Sequence, residues 1–304
     1  MPSGERHPLR WLLELAAVRL VHALLLVAPL RLRLALGHGV GRLAYALDRR
    51  HRSVALRNLE RALPELDTAT REAIARGAFA HLGRLLFEIV TQKRDAHRAM
   101  ARTKVEGWGH LQEAARNPGG YFLVSGHFGN WEWVAHLQAA MGYPLWMVAR
   151  PLDNPYLERF FASLRESTGN RVVHKRDATR EMLRGLKEGR GIAFIIDQNM
   201  GEPGHLFVEF FGRMAATTPA LGSLAARRRV PVLPVFAYPE PDGGYRVVYG
   251  PPVPVPQTGG READALAVTS EATRRLESAV RACPAAWFWM HRRWRTRPDG
   301  PDEV

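Results

Sequence analysis

The chain has 304 residues, 46% hydrophobic and 24% charged, which excludes collagen-like, low-complexity and wholly disordered proteins. One large domain can bury a full core at this length, and the single cysteine, Cys283, excludes an intramolecular disulfide and a thiolate metal cluster. The formal net charge is +13, and 39 of the 43 basic residues are arginines, so an anionic membrane, an acidic protein or nucleic acid could be a partner.

Residues 11–36 are the most apolar stretch of the chain, and Pro29 should kink the helix that they predict. The charge-free run within it is shorter than the roughly 20 residues that a membrane-spanning helix needs. The spacing of its polar residues places most of them in one arc of about 140°. We therefore expect residues 1–36 to be a membrane-associating helix that lies in the interface; a helix buried against the domain is the alternative. The residues in the polar arc are Glu14, Arg19, His22 and Arg33.

The first hundred residues are predicted to be mostly helical, with helices over 40–62 and 69–92. From about residue 105, short apolar runs alternate with helical patterns, which predicts an α/β fold with a mixed, largely parallel sheet flanked by helices. We divide the chain into residues 1–36 and one larger domain over 37–304, with a helical part over 37–104 and an α/β part over 105–304. The predicted strands are 121–125, 145–149, 171–174, 191–196, 207–211, 231–238 and 245–250, and the predicted helices are 131–141, 155–168, 178–188, 217–228 and 262–282.

Several common catalytic and cofactor motifs are absent from the sequence. It contains no phosphate-binding G-x-x-x-x-G-K-[ST], no zinc-binding H-E-x-x-H and no G-x-S-x-G nucleophile turn. Gly37, Gly39 and Gly41 form a G-x-G-x-G pattern, but no strand precedes it, so we interpret it as a break in a helix. We expect no metal and no cofactor.

The segment 121–134, YFLVSGHFGNWEWV, places polar residues directly after an apolar strand. Ligands of α/β folds bind at this end of the strands. Asn130 is a candidate helix N-cap, so His127 could lie in the turn and Glu132 in the first helical turn behind it. A carboxylate on one ring nitrogen would fix the tautomer of the histidine and leave the other nitrogen to accept a proton. The alternative is a histidine that caps the helix or bonds a core carbonyl.

The block SGHFGNWE resembles the H-x-x-x-x-[D/E] motif of the lysophospholipid acyltransferase superfamily, and in particular its lipid A lauroyl and myristoyl transferase branch. Further blocks in the same order are similar to that branch from about residue 10 to residue 298. They are RNLERALPEL (57–66), ARPLDNPYLERF (149–160), IIDQNMG (195–201), FVEFFGRMAATTPALGSLA (207–225) and WFWMHRRWRTRP (287–298).

This resemblance implies transfer of a fatty acyl chain from an acyl carrier protein thioester to a hydroxyl of a phosphorylated lipid A precursor. It implies a monomer on the cytoplasmic face of the inner membrane, with an acidic acyl carrier protein as partner. His127 would be the general base and Glu132 its orienting carboxylate. The substrate-binding candidates are Asn130, Arg150, Asn154, Asp197, Arg292 and Arg293.

Two other functions stay open at the level of sequence. The same chemistry could act on another glycolipid, such as a phosphatidylinositol mannoside, with acyl-CoA as donor. The chain could also be a catalytically silent basic protein on a membrane surface. The F-P-E-G-[ST]-R block of glycerophosphate acyltransferases is absent, and DQNMG (197–201) stands in its place, which argues against a glycerophosphate acceptor.

Overall fold

The N-terminal third of the chain is a helical layer. The computed structural model describes residues 8–149, 151–174, 178–201, 204–298 and 300–301. Pro29 separates the first two helices, and the side chains of Asp48 and Asp67 cap the next two by accepting backbone N–H bonds. The helices are α1 (Pro8–Val27), α2 (Leu30–Leu47), α3 (Arg49–Ala62) and α4 (Thr68–Ala101).

The rest of the chain alternates strands with helices. In chain order the elements are β1 (Thr103–Glu106), α5 (Trp108–Ala115), β2 (Tyr121–Ser125), α6 (Trp131–Ala140), β3 (Leu145–Ala149), α7 (Pro155–Glu166), β4 (Arg171–His174), α8 (Ala178–Lys187), β5 (Gly191–Ile195), β6 (Leu206–Phe210), β7 (Arg213–Thr217), α9 (Ala220–Arg228), β8 (Val232–Pro239), β9 (Tyr245–Tyr249), α10 (Arg261–Ala282), β10 (Thr296–Arg297) and β11 (Gly300–Pro301).

Seven of the described strands form one sheet, in the order β1-β9-β8-β2-β5-β3-β4. Every neighbouring pair in it is parallel except β8 and β9. This confirms the predicted α/β class with a largely parallel sheet. The sequence reading missed β1, α5, β7 and the two-residue strands β10 and β11. Strand β1 has only four residues, two of them charged, so its apolar alternation is too short to recognise.

The sheet is buried on both faces, and the alternation of side chains along β2 shows how. Phe122 and Val124 pack in a cluster with residues of α8, α9 and α10. Tyr121 and Leu123 point to the other face and pack in a cluster with residues of α5 and α6. Helices on both faces are what a parallel sheet requires, and they leave its strand ends free to form a site.

Gly37 and Gly41 do not break a helix, so the expectation of a break at this pattern is wrong. Both lie inside α2, where it crosses α4. A Cβ atom on Gly41 would overlap the carbonyl oxygen of Phe79, so glycine is needed there for the two helices to approach each other. The break in the predicted helix over 40–62 lies instead at Asp48.

Two charged side chains of the N-terminal helices face the protein. Glu14 accepts a hydrogen bond from Asn154, and Arg33 is buried and paired with Asp95. Besides exposed arginines, the outward faces of α1 and α2 carry exposed leucines and valines, and we call these leucines and valines the apolar stripe. They are Leu9, Leu13, Leu20, Leu24 and Val27 on α1 and Leu32, Leu36, Val40, Leu43 and Leu47 on α2.

None of the helices within the described residues is long and apolar enough to cross a membrane. Helix α2 runs through the proposed division at residue 36, and most of the chain's N-terminal packing is that of α2 on α4. The domain division stays a prediction.

Candidate active site

Two neighbouring parallel strands, β2 and β5, end at the same level of the sheet. Ser125 pairs with Ile195 at this level. His127 and Asp197 each follow two residues later, and the ring Nδ1 of His127 lies 2.8 Å from Oδ1 of Asp197. The shared register of the two strands therefore brings an imidazole and a carboxylate together at the edge where α/β folds bind ligands.

The Asp197 carboxylate is held by more than the imidazole. Its Oδ2 accepts bonds from the backbone N–H of His127 at 2.6 Å and from Nε1 of Trp287 at 2.7 Å. Gly126 permits this approach, because a Cβ atom there would lie 2.8 Å from Oδ2. The carboxylate is 2% exposed and the His127 side chain 23% exposed, so the base has one face open.

The charges of this pair stabilise each other. Burial alone would lower the pKa of His127, but the Asp197 carboxylate outweighs it, and the pKa is raised above its ordinary value. Burial alone would raise the pKa of Asp197, but His127 and Trp287 hold it at about 2. When Nδ1–H donates to Asp197, the neutral ring carries its lone pair on Nε2. The geometry thus provides a base whose free nitrogen points away from the carboxylate.

Glu132 does not orient His127, and on this contact the prediction is wrong. Its carboxylate accepts three hydrogen bonds from Arg165 on α7, at 2.7, 3.0 and 3.2 Å. The reason is local: His127 lies at a bend after β2, and the two residues that follow it are fixed by single bridges, Phe128 to Trp287 and Gly129 to Ala237. The ring is therefore directed toward the end of β5, while Glu132 faces α7 and acts on the imidazole only through its charge.

A cavity of about 770 Å³ opens beside His127. It follows the face of the sheet that packs on α6, and α1 and α4 close it on the other side. Its lining is mostly aliphatic and aromatic, with His127, Glu132 and Arg165 at one place in the wall. The apolar lining includes Val18, Val21 and Leu25 of α1, Leu86 and Val90 of α4, Leu123 of β2, Leu145 and Met147 of β3, and Ala193 of β5.

Two predicted substrate-binding residues have structural contacts instead. Asn130 caps α6 by accepting from the backbone N–H of Trp133, and its amide donates to Glu88. Asn154 caps α7, and its amide donates to the carbonyl of Trp11 and to Glu14. Asn154 therefore ties α1 to α7 across the cavity, and neither amide is directed at the space beside His127.

The predicted arginines divide in the same way. Arg293 is buried and bonds the carbonyl of Ala216 at 2.6 Å, so it holds the chain together rather than meeting a substrate. Arg292 is partly exposed and lines a second cavity, away from His127. Arg150 lies outside the described residues.

The sequence reading assigned Asp197 to substrate binding and missed Arg165, Gln198 and Trp287. Gln198 is adjacent to the base, with its amide nitrogen 3.5 Å from Nε2 of His127. A usable signal was present: His127 lies two residues beyond the predicted strand 121–125, and Asp197 directly follows the predicted strand 191–196. In the part of the chain that the structure describes, no group of three or more His, Cys, Asp or Glu side chains could hold a metal ion.

The sequence comparisons identify the family of this chain. The family model for bacterial lipid A biosynthesis acyltransferases matches residues 4–296. The chain belongs to this family. The resemblance drawn from the ordered sequence blocks is thus confirmed, and the protein is an acyltransferase of the lipid A biosynthesis family.

Individual relatives are similar over nearly their whole length. The lipid A biosynthesis lauroyltransferase of Escherichia coli K12 is 30% identical over 297 residues, covering 97% of this chain and 94% of the relative. The myristoyltransferase of the same organism is 26% identical over 297 residues, covering 97% and 90%. Its palmitoleoyltransferase is 26% identical over 272 residues, covering 88% and 87%.

Replacing Asp197 tests which carboxylate sets the state of His127. We expect Asp197→Asn to lower the pKa of His127 below its ordinary value of about 6.5, because burial then acts without the main compensating charge. The matched variant Glu132→Gln should lower it less. NMR titration of labelled histidine measures both shifts, and a larger shift in Glu132→Gln would contradict the assignment of Asp197.

Proposed function

We propose that His127 is the general base of an O-acyl transfer, oriented by Asp197. Nε2 removes the proton from an acceptor hydroxyl while the oxygen attacks the carbonyl carbon of an acyl thioester. The carbon–sulfur bond then breaks, and the departing sulfur takes the proton from the imidazolium. The guanidinium of Arg165 would stabilise negative charge that develops on the carbonyl oxygen. The observation that carries the proposal is a base held by a buried carboxylate at the mouth of a long apolar cavity.

The cavity suits a fatty acyl chain in both shape and chemistry. Leu145 lies at the level of Gly191, four residues before the end of β5, so the cavity extends about 13 Å along the sheet below His127. Its volume falls within the usual range of small-molecule sites. A chain whose carbonyl lies at Nε2 would bury its methylene groups against β2, β3 and β5, at about 0.8 kcal/mol each.

An acyl carrier protein thioester is the donor that we favour. A thioester already carries the driving force for ester formation, so the reaction needs neither a nucleotide nor a resident cofactor. Acyl carrier proteins are acidic, and the net charge of +13 favours their approach. Because the relatives are named for lipid A biosynthesis, we propose a hydroxyl of a phosphorylated lipid A precursor as the acceptor.

The apolar stripe supports membrane association. Leu13, Leu20 and Leu24 are each 59–63% exposed. Polar side chains of the same two helices, Glu14 and Arg33, face the protein instead of the solvent. Contact with a bilayer would bury the stripe, while exposed arginines such as Arg19, Arg31 and Arg42 would meet anionic headgroups. We therefore place the protein on the cytoplasmic face of the inner membrane, where its donor and acceptor are available.

Removing the base should abolish acyl transfer. We expect His127→Ala to lower kcat by at least about 10²–10⁴, the usual contribution of a general base. Asp197→Asn should also lose most of its activity. The control is His174→Ala, an exposed histidine at the end of β4 that should keep full activity. The assay uses acyl carrier protein thioester and purified lipid A precursor, and full activity in His127→Ala with the fold intact would refute the mechanism.

Filling the cavity should shorten the preferred acyl chain. Ala193 lies two residues below the end of β5 and lines the cavity, so Ala193→Leu would block it part-way down. Transfer of short chains should persist, and transfer of longer chains should fall at least about tenfold, because a methylene that no longer fits costs about 1–3 kcal/mol. Ala193→Ser is the size-matched control. Equal loss at every chain length would contradict this placement of the acyl chain.

Removing apolar side chains from the stripe should release the protein from membranes. We expect the triple variant Leu13→Gln, Leu20→Gln, Leu24→Gln to lose binding to phosphatidylglycerol vesicles, since each buried leucine contributes about 1.5–3 kcal/mol. The control replaces exposed Met214 and Leu266, outside the stripe, by glutamine. Vesicle sedimentation measures both, and unchanged binding of the triple variant would refute the anchor.

A further inference from the structure

A second cavity, of about 710 Å³, lies between the start of α3 and the C-terminal segment, and we call it the basic groove. Arg50 contributes from α3, and Arg292 and Arg295 from the C-terminal segment. Within the described residues, no carboxylate lines the groove or lies within ion-pair distance of these three arginines. Asp48 interacts with Arg50 through its charge but does not line the groove, so three guanidinium groups on one concave surface favour binding of an anion there.

The walls of the groove are fixed by buried hydrogen bonds. The amide of Asn58, on α3, donates to the carbonyls of Trp289 and His291 at 2.7 Å each. Asn199 donates its backbone N–H to His291 and exchanges two further bonds with Thr296. These hydrogen bonds hold the C-terminal segment on both sides of Arg292, so the position of Arg292 is fixed by the fold.

Arg293 explains why its neighbours face outward. It is fully buried and bonds Ala216, Thr217 and the carbonyl of Gln198. With Arg293 fixed inside the protein, Arg292 and Arg295 stay on the groove side of the segment. The groove is therefore a built feature of the fold.

The groove lies between the reacting imidazole and the apolar stripe. Asp197, Gln198 and Asn199 are consecutive: the first holds His127, the second lies beside its Nε2, and the third lines the groove. On the other side, the stripe ends at Leu47, three residues before Arg50. A lipid anchored in the bilayer would thus reach the groove with its headgroup and His127 with a neighbouring hydroxyl.

We propose that the basic groove binds a phosphate monoester on the sugar headgroup of the acceptor glycolipid. The proposal rests on the proposed function and deepens it, since it assigns the acceptor a binding site of its own. Arginine pairs well with phosphate because its planar guanidinium donates two parallel hydrogen bonds. The phosphate would fix the headgroup so that one hydroxyl, rather than another, meets Nε2 of His127.

The shape of the groove favours a small anion over an acidic protein surface. A concave site closed by Val54 and Met290 at its base admits a sugar phosphate, whereas a carrier protein would need a broad, accessible face. A site for the carrier protein would moreover change the KM of the donor, and a site for the phosphate changes the KM of the acceptor. Measuring the KM of the donor and the KM of the acceptor in one kinetic experiment therefore distinguishes a carrier-protein site from a phosphate site.

The experiment uses the full chain with Arg292→Gln and Arg295→Gln combined, and a charge-matched control in which exposed Arg227 and Arg228 on α9 are changed to glutamine. Each protein is assayed with the phosphorylated acceptor and with the same acceptor after phosphatase treatment. We expect the first variant to raise KM for the phosphorylated acceptor about 10- to 100-fold, because two charge-assisted hydrogen bonds are lost. KM for the donor, activity on the dephosphorylated acceptor and the control variant should not change.

Equal losses on both acceptors, or a change confined to the KM of the donor, would overturn the proposal. Binding is also measured directly with glucosamine 1-phosphate and with inorganic phosphate. Tighter binding of the sugar phosphate that is lost in the double variant supports the proposal, and equal affinity for inorganic phosphate would reduce the groove to a general anion site and overturn it. If the unaltered protein transferred no acyl chain, the proposed function would fail, while this binding measurement would still report on the groove.

Discussion

The contact between the imidazole of His127 and the carboxylate of Asp197 determines the geometry of the candidate site at the ends of β2 and β5. A carboxylate with 2% exposure would ordinarily be protonated, because burial disfavours its charged form. Three N–H groups, from the ring and backbone of His127 and from the Trp287 indole, hold it charged instead. The same carboxylate selects the tautomer of the ring. The contact between the two residues therefore both lowers the pKa of Asp197 and raises the pKa of His127.

Much of the fold was predictable from the sequence, because apolar runs and helical spacing are local signals. The bounds of β2, β3 and β4 coincide with the predicted strands, and those of α6, α7 and α8 differ by one or two residues. The elements that were missed are short and lie at an edge or outside the central sheet, where a few residues carry little pattern.

The candidate site was only half predictable. His127 follows from the chain itself, since it comes directly after a buried strand. Its carboxylate partner does not, because strand order decides which strand end lies beside it. Glu132 is close in sequence but faces Arg165, whereas Asp197 is 70 residues away and is brought in by the pairing of β2 with β5. Parallel pairing of two strands cannot be read from either strand alone.

The N-terminal helices serve two purposes with opposite faces. The inner faces line the cavity and bury Arg33 against Asp95, and the outer faces form the apolar stripe. A helix that only anchored a soluble enzyme could be removed without affecting the reaction. Here α1 is also a wall of the cavity and is bonded to α7 through Asn154, so in the proposed function the bilayer and the acyl chain would contact the two sides of one helix.

The bond from Trp287 to Asp197 has a consequence for biosynthesis. Trp287 follows every strand of the central sheet in the chain, so the ribosome delivers it after all of them. A nascent chain would present His127 with a poorly supported carboxylate. The pair should therefore reach its final state only after Trp287 has been synthesised and its indole has packed against the strand ends.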